Sequence, residues 1–332
     1  AATMRRIKGA YSCTVLTPKM LIGFRDPYGI RPLVAGTIEN GFLIASESCA
    51  FSPVNGAVDR EIGAGEMVII DKHGMRYAQG APSPRKAQCM FEFIYFARPD
   101  STMYGTTLYS ARERMGEQLA VEHPVDADVV VPVPDSGIPA ALGYSIISGV
   151  PFKEGMVKSR YIHRTFIAPD QQLREMGVRM KLTPIVEHIK GQRVLLVDDS
   201  IVRATTTKQI VRLLFESGAK EVHVRITAPP IMWPCFYGID MCTRKELAAA
   251  RMSIDEIREH VGATSLGYLS IKGVVQAVGR PTNEFCLACF NGEYPLPVPP
   301  DMEKNPFEIP IEVGQMTAVH AAQPPLADLL QS

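Results

Sequence analysis

The sequence predicts an α/β protein: a parallel sheet with flanking helices, preceded by a smaller antiparallel β region. Three observations carry that expectation. Residues 194–197 form a continuous aliphatic run, the pattern of a strand covered on both faces. Apolar runs of strand length at 129–133, 152–157 and 222–227 alternate with helical apolar spacing at 138–147 and 208–217, which implies right-handed βαβ units. Between Gly9 and Ile70, by contrast, the apolar runs are separated by turn signals alone.

In chain order, residues 11–16, 19–24, 41–45 and 66–70 read as short strands punctuated by Thr17-Pro18, Asp26-Pro27, Asn40-Gly41 and Gly63-Ala-Gly65. Strands without covering helices leave an apolar face and open edges, so this antiparallel fragment has to pair with something. A stretch rich in Pro, Gly, Ser and Arg at 80–86 then reads as a linker. The expected division is 1–80, 81–295 and a Pro-rich, polar, loosely ordered tail at 296–332. In the second region the strands are expected at 129–133, 152–157, 194–197 and 222–227, and Gly218 suits the position just past a helix end. No regular pattern persists over 159–182, and a connection that long is expected to be functional, such as a lid.

The chemistry concentrates in Arg193-Val-Leu-Leu-Val-Asp-Asp-Ser-Ile-Val-Arg-Ala-Thr-Thr-Thr207. Asp198 and Asp199 sit at the carboxyl end of the strand, where open α/β sheets bind ligands; vicinal carboxylates there can hold a divalent cation or accept hydrogen bonds from two ribose hydroxyls. Thr205, Thr206 and Thr207 lie where a helix begins, so unpaired N–H groups, hydroxyls and the helix dipole favour a phosphate there. Solvated turn residues are the bland alternative for the two acids, and the three threonines argue against it. Asp135, Ser136 and Gly137 could be a plain turn and helix cap. Next to the first site they gain meaning, because two adjacent strands would present loops to one crevice. Lys158, Arg160, Arg164, Arg174, Arg179 and Lys181 crowd the long connection with Tyr161 and Phe166. A basic run is usually a solvated face, but in a lid it can close over an anionic ligand and exclude water. Cys286 and Cys289 form one Cys-x-x-Cys, equally compatible with zinc, a redox pair or chance, while Cys13, Cys49 and Cys242 read as ordinary core residues.

Composition narrows the class. The chain has 332 residues with 35 Lys and Arg against 35 Asp and Glu, which argues against a general polyanion-binding surface such as a nucleic-acid interface. No apolar run approaches a membrane span, the first residues lack the regions of a signal peptide, and seven cysteines show no disulfide framework, so a cytoplasmic protein is expected.

The 193–207 segment resembles the phosphoribosyl pyrophosphate (PRPP) signature of type I phosphoribosyltransferases. Cys89-Met-Phe-Glu-Phe-Ile-Tyr-Phe-Ala-Arg-Pro-Asp-Ser101, Val133-Pro-Asp-Ser-Gly137, Arg160-Tyr-Ile-His-Arg-Thr-Phe-Ile167, Gly177-Val-Arg-Met-Lys-Leu182, Pro234-Cys-Phe-Tyr-Gly-Ile-Asp240 and Cys286-Leu-Ala-Cys-Phe290 narrow the resemblance to glutamine PRPP amidotransferases, from the first residues to about Pro295. The family usually has Gly where this chain has Ala204 and commonly Gly where it has His163; a loop that needs positive φ at Ala204 would be strained.

The resemblance implies a type I phosphoribosyltransferase sheet preceded by the carboxyl-terminal part of an N-terminal-nucleophile (Ntn) glutaminase sandwich. It implies conversion of PRPP and glutamine, or ammonia, to 5-phosphoribosylamine, glutamate and pyrophosphate, opening purine synthesis. By the same resemblance Ser136, Asp198 and Asp199 hold Mg²⁺. Asp135, Ser136, Gly137, Arg160, Asp198, Asp199, Ser200, Ala204, Thr205, Thr206 and Thr207 bind PRPP, and Arg164 and Lys181 are lid contacts. Cys89, Cys235, Cys286 and Cys289 resemble the ligands of a [4Fe–4S] cluster found in one branch of the family. Feedback by purine nucleotides and a homotetramer follow from the family alone. The chain begins Ala1-Ala2-Thr3, so the family's terminal cysteine nucleophile is expected to be missing and glutamine use with it, leaving use of free ammonia. Cys13, inside an expected strand with no free amine, is no substitute. A nucleobase salvage phosphoribosyltransferase or a non-catalytic PRPP-sensing regulator shares the sheet; the first needs neither the sandwich nor four cysteines, and the second would carry a DNA-binding module.

Overall fold

Alternating apolar residues in the first eighty positions have nothing helical to pack against, so the strands cover one another. The computed structural model describes residues 1–159, 181–241 and 243–298. Its first strands are β1 (Ser12–Leu16), β2 (Met20–Arg25), β3 (Val34–Ile38), β4 (Gly41–Ala45), β5 (Ala57–Glu61), β6 (Glu66–Asp71) and β7 (Gly74–Gln79). They form two antiparallel sheets, in the orders β1-β2-β6-β7 and β4-β3-β5. Leu33, Ala35, Ile62, Val68 and Ile70 are buried between them, with Leu21, Phe42, Ile44, Met75 and Tyr77 packed around. The apolar face expected to lie open is thus covered by a second sheet. An open edge remains at β1, where Val15 and Leu16 are exposed. Strands β3, β5 and β7 add to the four expected. Cys13 and Cys49, expected in the core, are only half-buried.

Beyond residue 80 come β8 (Gln88–Cys89), the hairpin β9 (Thr102–Met103) and β10 (Thr106–Thr107), then β11 (Val129–Pro132), β12 (Met156–Lys158), β13 (Leu182–Pro184), β14 (Arg193–Asp198), β15 (Glu221–Ile226), β16 (Ser265–Tyr268) and β17 (Phe285–Cys286). Strands β11, β14, β15 and β16 form, in the order β11-β14-β15-β16, a wholly parallel sheet. Val194, Leu195, Leu196 and Val197 are fully buried, as their aliphatic run predicts. The helix Thr205–Glu216 buries Thr207, Ile210, Val211 and Leu214, a helical face turned to the core. Gly218 has φ +93°, the left-handed conformation expected just past that helix.

One expected strand of this sheet is corrected. Of residues 152–157, Phe152 makes a single parallel bridge to Val130 at the sheet edge, while Met156 and Val157 belong to β12, which pairs antiparallel with β13. Glu154-Gly155 interrupts the apolar run, so one continuous strand does not form. Ser159 N–H donates to Lys181 O at 2.8 Å across the end of this ribbon. The lid expected between them, with Arg160, His163, Arg164, Arg174 and Arg179, lies outside the described residues, as do Cys242 and most of the expected tail. The helices Leu108–Glu122, Ile254–Val261 and Ile271–Val278 and strand β16 were not among the expected elements. Among the described residues no helix is long and apolar enough to cross a membrane.

The helices Leu108–Glu122 and Ile138–Ser148 approach at backbone distance. A Cβ on Gly116 would lie 1.8 Å from Ala140 O, and one on Gly143 would lie 1.9 Å from Glu113 O. Gly116→Ala is therefore expected to destabilise the protein by about 1–3 kcal/mol or more through overpacking, since backbone cannot swing aside as a side chain can. Chemical denaturation checks this; an unchanged midpoint would show that the helices do not pack so closely.

Candidate active site and cysteine chamber

Register fixes the first feature of the site. Pro132 of β11 lies beside Val197 of β14, so the turns after both strands open at one end of the sheet. Gly137 N–H donates to Val133 O at 2.9 Å, and Val133 N–H to Val197 O at 2.8 Å. A Cβ at Gly137 would stand 2.5 Å from Val197 O, so glycine lets the 135–137 turn seat directly on the end of β14. The Ser136 hydroxyl in this turn helps to lower the pKa of the Asp199 carboxyl. Asp135 points elsewhere: it is exposed and pairs with Lys158 Nζ at 2.8 Å.

The two central carboxylates are sequestered. Asp198 is 9% and Asp199 7% exposed. Asp198 Oδ1 accepts from Asp199 N–H at 2.8 Å, and Ser200 Oγ donates to Asp199 Oδ1 at 2.5 Å. Their carbonyls are held in turn by Thr227 N–H and Ala228 N–H, at 3.1 and 2.8 Å, from the end of β15. Burial, and then the charge of Asp199, push the Asp198 carboxyl well above the ordinary range. Burial raises Asp199 too, against the pull of the Ser136 and Ser200 hydrogen bonds and of the Arg112 charge. Two adjacent carboxylates in a dry pocket are unfavourable by themselves and favour a cation between them and the solvent.

Arg112 did not emerge from the sequence as a site residue. It is 4% exposed, and its guanidinium donates to Phe93 O at 2.9 Å and Ala97 O at 2.6 Å. Burial lowers its pKa, with Asp199 the largest opposing influence. The signal was present in the helix pattern: Leu108, Ala111, Met115 and Leu119 define the buried face of Leu108–Glu122, and Arg112 falls on it.

Ala204, at the N-cap of the helix Thr205–Glu216, has φ +63°. The positive φ that would strain an alanine is therefore present, at a cost of about 1 kcal/mol. Thr205 and Thr206 are exposed at the first turn, while Thr207 is buried. Lys181 is half-buried beside Ser159. Asp198, Asp199, Ser136 and Ser200 are thus gathered at the sheet end, with Ala204 and Thr205–Thr207 following in the same turn and helix start.

A second constellation lies at the β8–β17 ribbon. Parallel pairing puts Cys286 beside Cys89. These two, with Cys235 and Cys289, line one chamber whose other walls include Ile30, Phe91, Ile239 and Met241. Burial pushes the Cys286 thiol up to about 11 and raises those of Cys89 and Cys289 well above the ordinary value. Tyr237 N–H donates to Cys235 Sγ at 3.3 Å. Nearby, Glu92 is buried against Arg31 at 3.0 Å, and burial lifts its pKa to about 7. Among the described residues no group of three or more His, Cys, Asp or Glu is arranged to hold a metal ion.

The raised Asp198 pKa carries a sign. A carboxyl whose pKa is higher folded than unfolded contributes stability that is full below the unfolded value, near 3.9, and is lost as pH rises through the folded value. Asp198→Asn keeps the acceptor for Asp199 N–H and removes the charge. In a chelator, the variant is therefore expected to melt above the parent at pH 8, with the gap closing as pH falls toward about 4. A parent that melts higher at pH 8 would contradict the burial argument.

A family profile described as the phosphoribosyl transferase domain matches residues 111–228, from within the helix Leu108–Glu122 past the end of β15. The chain is 48% identical over 305 residues to an amidophosphoribosyltransferase of Synechococcus elongatus, covering 91% of this chain and 62% of that protein. It is 46% identical over 300 residues to the amidophosphoribosyltransferase of Bacillus subtilis, covering 89% of this chain and 63% of the relative. A solved structure of the B. subtilis glutamine PRPP amidotransferase, complexed with ADP and GMP, superposes with a TM-score of 0.86 at 45% identity, covering 91% of this chain and 67% of that one. The chain thus spans a little over three-fifths of the length of these curated relatives. On this likeness, which covers about nine-tenths of the chain, the chain belongs to the amidophosphoribosyltransferase family.

Proposed function

We propose that this chain carries the phosphoribosyl-transfer site of an amidophosphoribosyltransferase, acting on PRPP in the reaction that opens purine synthesis. The observation that carries this reading is the buried Asp198–Asp199 pair at the end of β14, faced by the 135–137 turn and followed by a helix start rich in threonine. Ammonia attacks C1 of the ribose, the C1–N bond forms, the C1–O bond breaks, and pyrophosphate leaves with the bonding electrons; the new ammonium then loses a proton to solvent. No side-chain nucleophile is required. Asp198 and Asp199 orient the ribose hydroxyls, Ser200 with Ala204 and Thr205–Thr207 receives the 5-phosphate, and the Asp135–Gly137 turn presents its backbone to the pyrophosphate while the Asp135 side chain stays paired with Lys158. Arg160, Arg164 and Lys181 remain candidate lid contacts that shield C1 from water.

The residues present fit Mg²⁺. Mg²⁺ is commonly held by one or two carboxylates with the remaining ligands from substrate oxygens and water, so Asp198, Asp199 and the Ser136 hydroxyl suffice without a third acidic side chain. Bound there, it would neutralise charge on departing pyrophosphate. A [4Fe–4S] cluster is supported by the lining of the chamber: each cysteine of such a cluster binds a different iron, so Cys89, Cys235, Cys286 and Cys289, which line one chamber, would surround it rather than converge on one point. The Tyr237 N–H on Cys235 Sγ is the kind of hydrogen bond that orients a ligating sulfur. The cluster's role would be structural or oxygen-sensing.

We further propose the division 1–80, 81–295 and 296–332, with the two stacked sheets as the carboxyl-terminal part of a glutaminase domain. Purine nucleotides as feedback ligands are supported by the B. subtilis relative, which was solved with ADP and GMP. A homo-oligomer and a cytoplasmic location complete the reading, the latter supported by the free thiols of the described cysteines.

An ammonia-dependent phosphoribosylamine assay tests the reading. The chain is expected to release pyrophosphate from PRPP with Mg²⁺ and ammonia, and Asp199→Asn to lose roughly a hundredfold or more of that rate. Undiminished turnover in the variant would remove the assigned site. Anaerobic purification with iron and sulfide is expected to yield broad visible absorption that Cys286→Ser abolishes; a colourless parent loaded in the same way would remove the cluster.

A further inference from the structure

Ala204 holds a left-handed conformation that an alanine adopts at a cost, and such strain persists only where the surroundings fix it. Its own carbonyl is bound within the helix that follows, by Lys208 N–H at 3.0 Å. On the other side the restraint comes from the segment 243–248. Ala248 N–H donates to Val202 O at 2.8 Å, and Glu246 Oε1 pairs with Arg203 Nη2 at 2.8 Å. Glu246 is itself oriented, because its Oε2 accepts from Thr243 N–H at 3.1 Å and Thr243 Oγ1 at 3.0 Å. The two residues before Ala204 are thus gripped by one short segment.

That segment is anchored at its far end. Arg244 Cζ lies 3.8 Å from the centroid of the Trp233 ring. Trp233 N–H and Met232 N–H both donate to Cys289 O, at 3.1 and 2.9 Å. The ring also abuts Gly292, where a Cβ would stand 2.8 Å from Trp233 Cε2. Contacts therefore run without a break from the cysteine chamber through Trp233, Arg244 and Glu246 to the turn before Thr205.

We propose that residues 243–248 are a strut that positions the phosphate loop, with Glu246 as its positioning residue and the Arg244–Trp233 stack as its anchor on the chamber wall. The inference rests on the reading of 200–207 as the 5-phosphate loop. The Arg203–Glu246 pair is about half exposed, with side-chain exposures of 58% and 45%, so its contribution to global stability is small. Its effect falls on the geometry of the helix start, where a small rotation misaims the N–H groups that would meet phosphate.

The test uses Glu246→Gln, Arg203→Gln, their double variant and Arg244→Gln in the full chain, with ribose 5-phosphate as the calorimetric probe and amide hydrogen exchange over 200–207 as a readout that needs no ligand. Glu246→Gln retains an acceptor for Thr243, so the segment should stay folded. Expected are a roughly three- to tenfold loss of ribose 5-phosphate affinity and faster exchange of the 204–207 amides for each single variant. The double variant should be no worse than the weaker single, since the two residues act as one pair. Melting temperature should change little, and in the ammonia assay the loss should fall on KM for PRPP with kcat retained. Parent-like exchange and affinity in Glu246→Gln, or additive losses in the double variant, would overturn the strut. A parent chain that does not bind ribose 5-phosphate would count against the functional reading instead, while the exchange comparison would still decide the strut.

Discussion

Two carboxylates buried at the end of a buried strand are the constraint around which this structure is arranged. Charge in a dry pocket is unfavourable unless it is partnered, and Asp198 and Asp199 sit side by side at the end of an aliphatic strand. The surrounding backbone supplies what it can. Ser200 donates its hydroxyl to Asp199, the N–H of Asp199 reaches the Asp198 carboxylate, and the Ser136 hydroxyl and the buried Arg112 charge help to lower the Asp199 pKa. When both carboxylates are ionised, what remains is a negative site at the sheet end, suited to a hard cation.

The same constraint explains why distant elements meet there. Gly137 is required because the first loop has to seat on Val197 O before its serine can reach Asp199. Arg112 ties the carbonyls of residues 93 and 97 to the floor of the site, and that stretch begins just after Cys89 in the chamber wall. Arg25, fully buried, similarly binds the carbonyls of Arg31, Ile62 and Gly29 within the sandwich at 2.6 to 2.8 Å. Asp26 next to it accepts from Tyr28 and Ile30 N–H, and burial raises its pKa. Buried charge thus organises the loops of both halves, each time by satisfying backbone groups that no sheet ladder reaches.

Much of this was legible in the sequence because it rests on local pattern. The 194–197 run, the acids after it and the threonines at the helix start follow from hydrophobic continuity and helix-end chemistry, and the structure places them accordingly. Strand β5 was hidden because its residues are largely exposed and polar, and 152–157 was misread because its apolar residues serve two different pairings. The gathering of Cys89, Cys235, Cys286 and Cys289 could not be read from spacing; the β8–β17 pairing that joins the first to the third spans nearly the whole second region, and the grouping entered by family resemblance alone. Arg112 was overlooked because a cation on an apolar helix face carries no motif, although its position in the 108–119 pattern marks it as buried.

The central claim is that the end of β14 binds an anionic ribose through a divalent cation. Calorimetric titration of the chain with PRPP, once with Mg²⁺ and once with the metal chelated, tests it most directly. The account predicts stoichiometric binding with Mg²⁺ and a loss of at least roughly tenfold in affinity without it. Equal affinity in both titrations would contradict it.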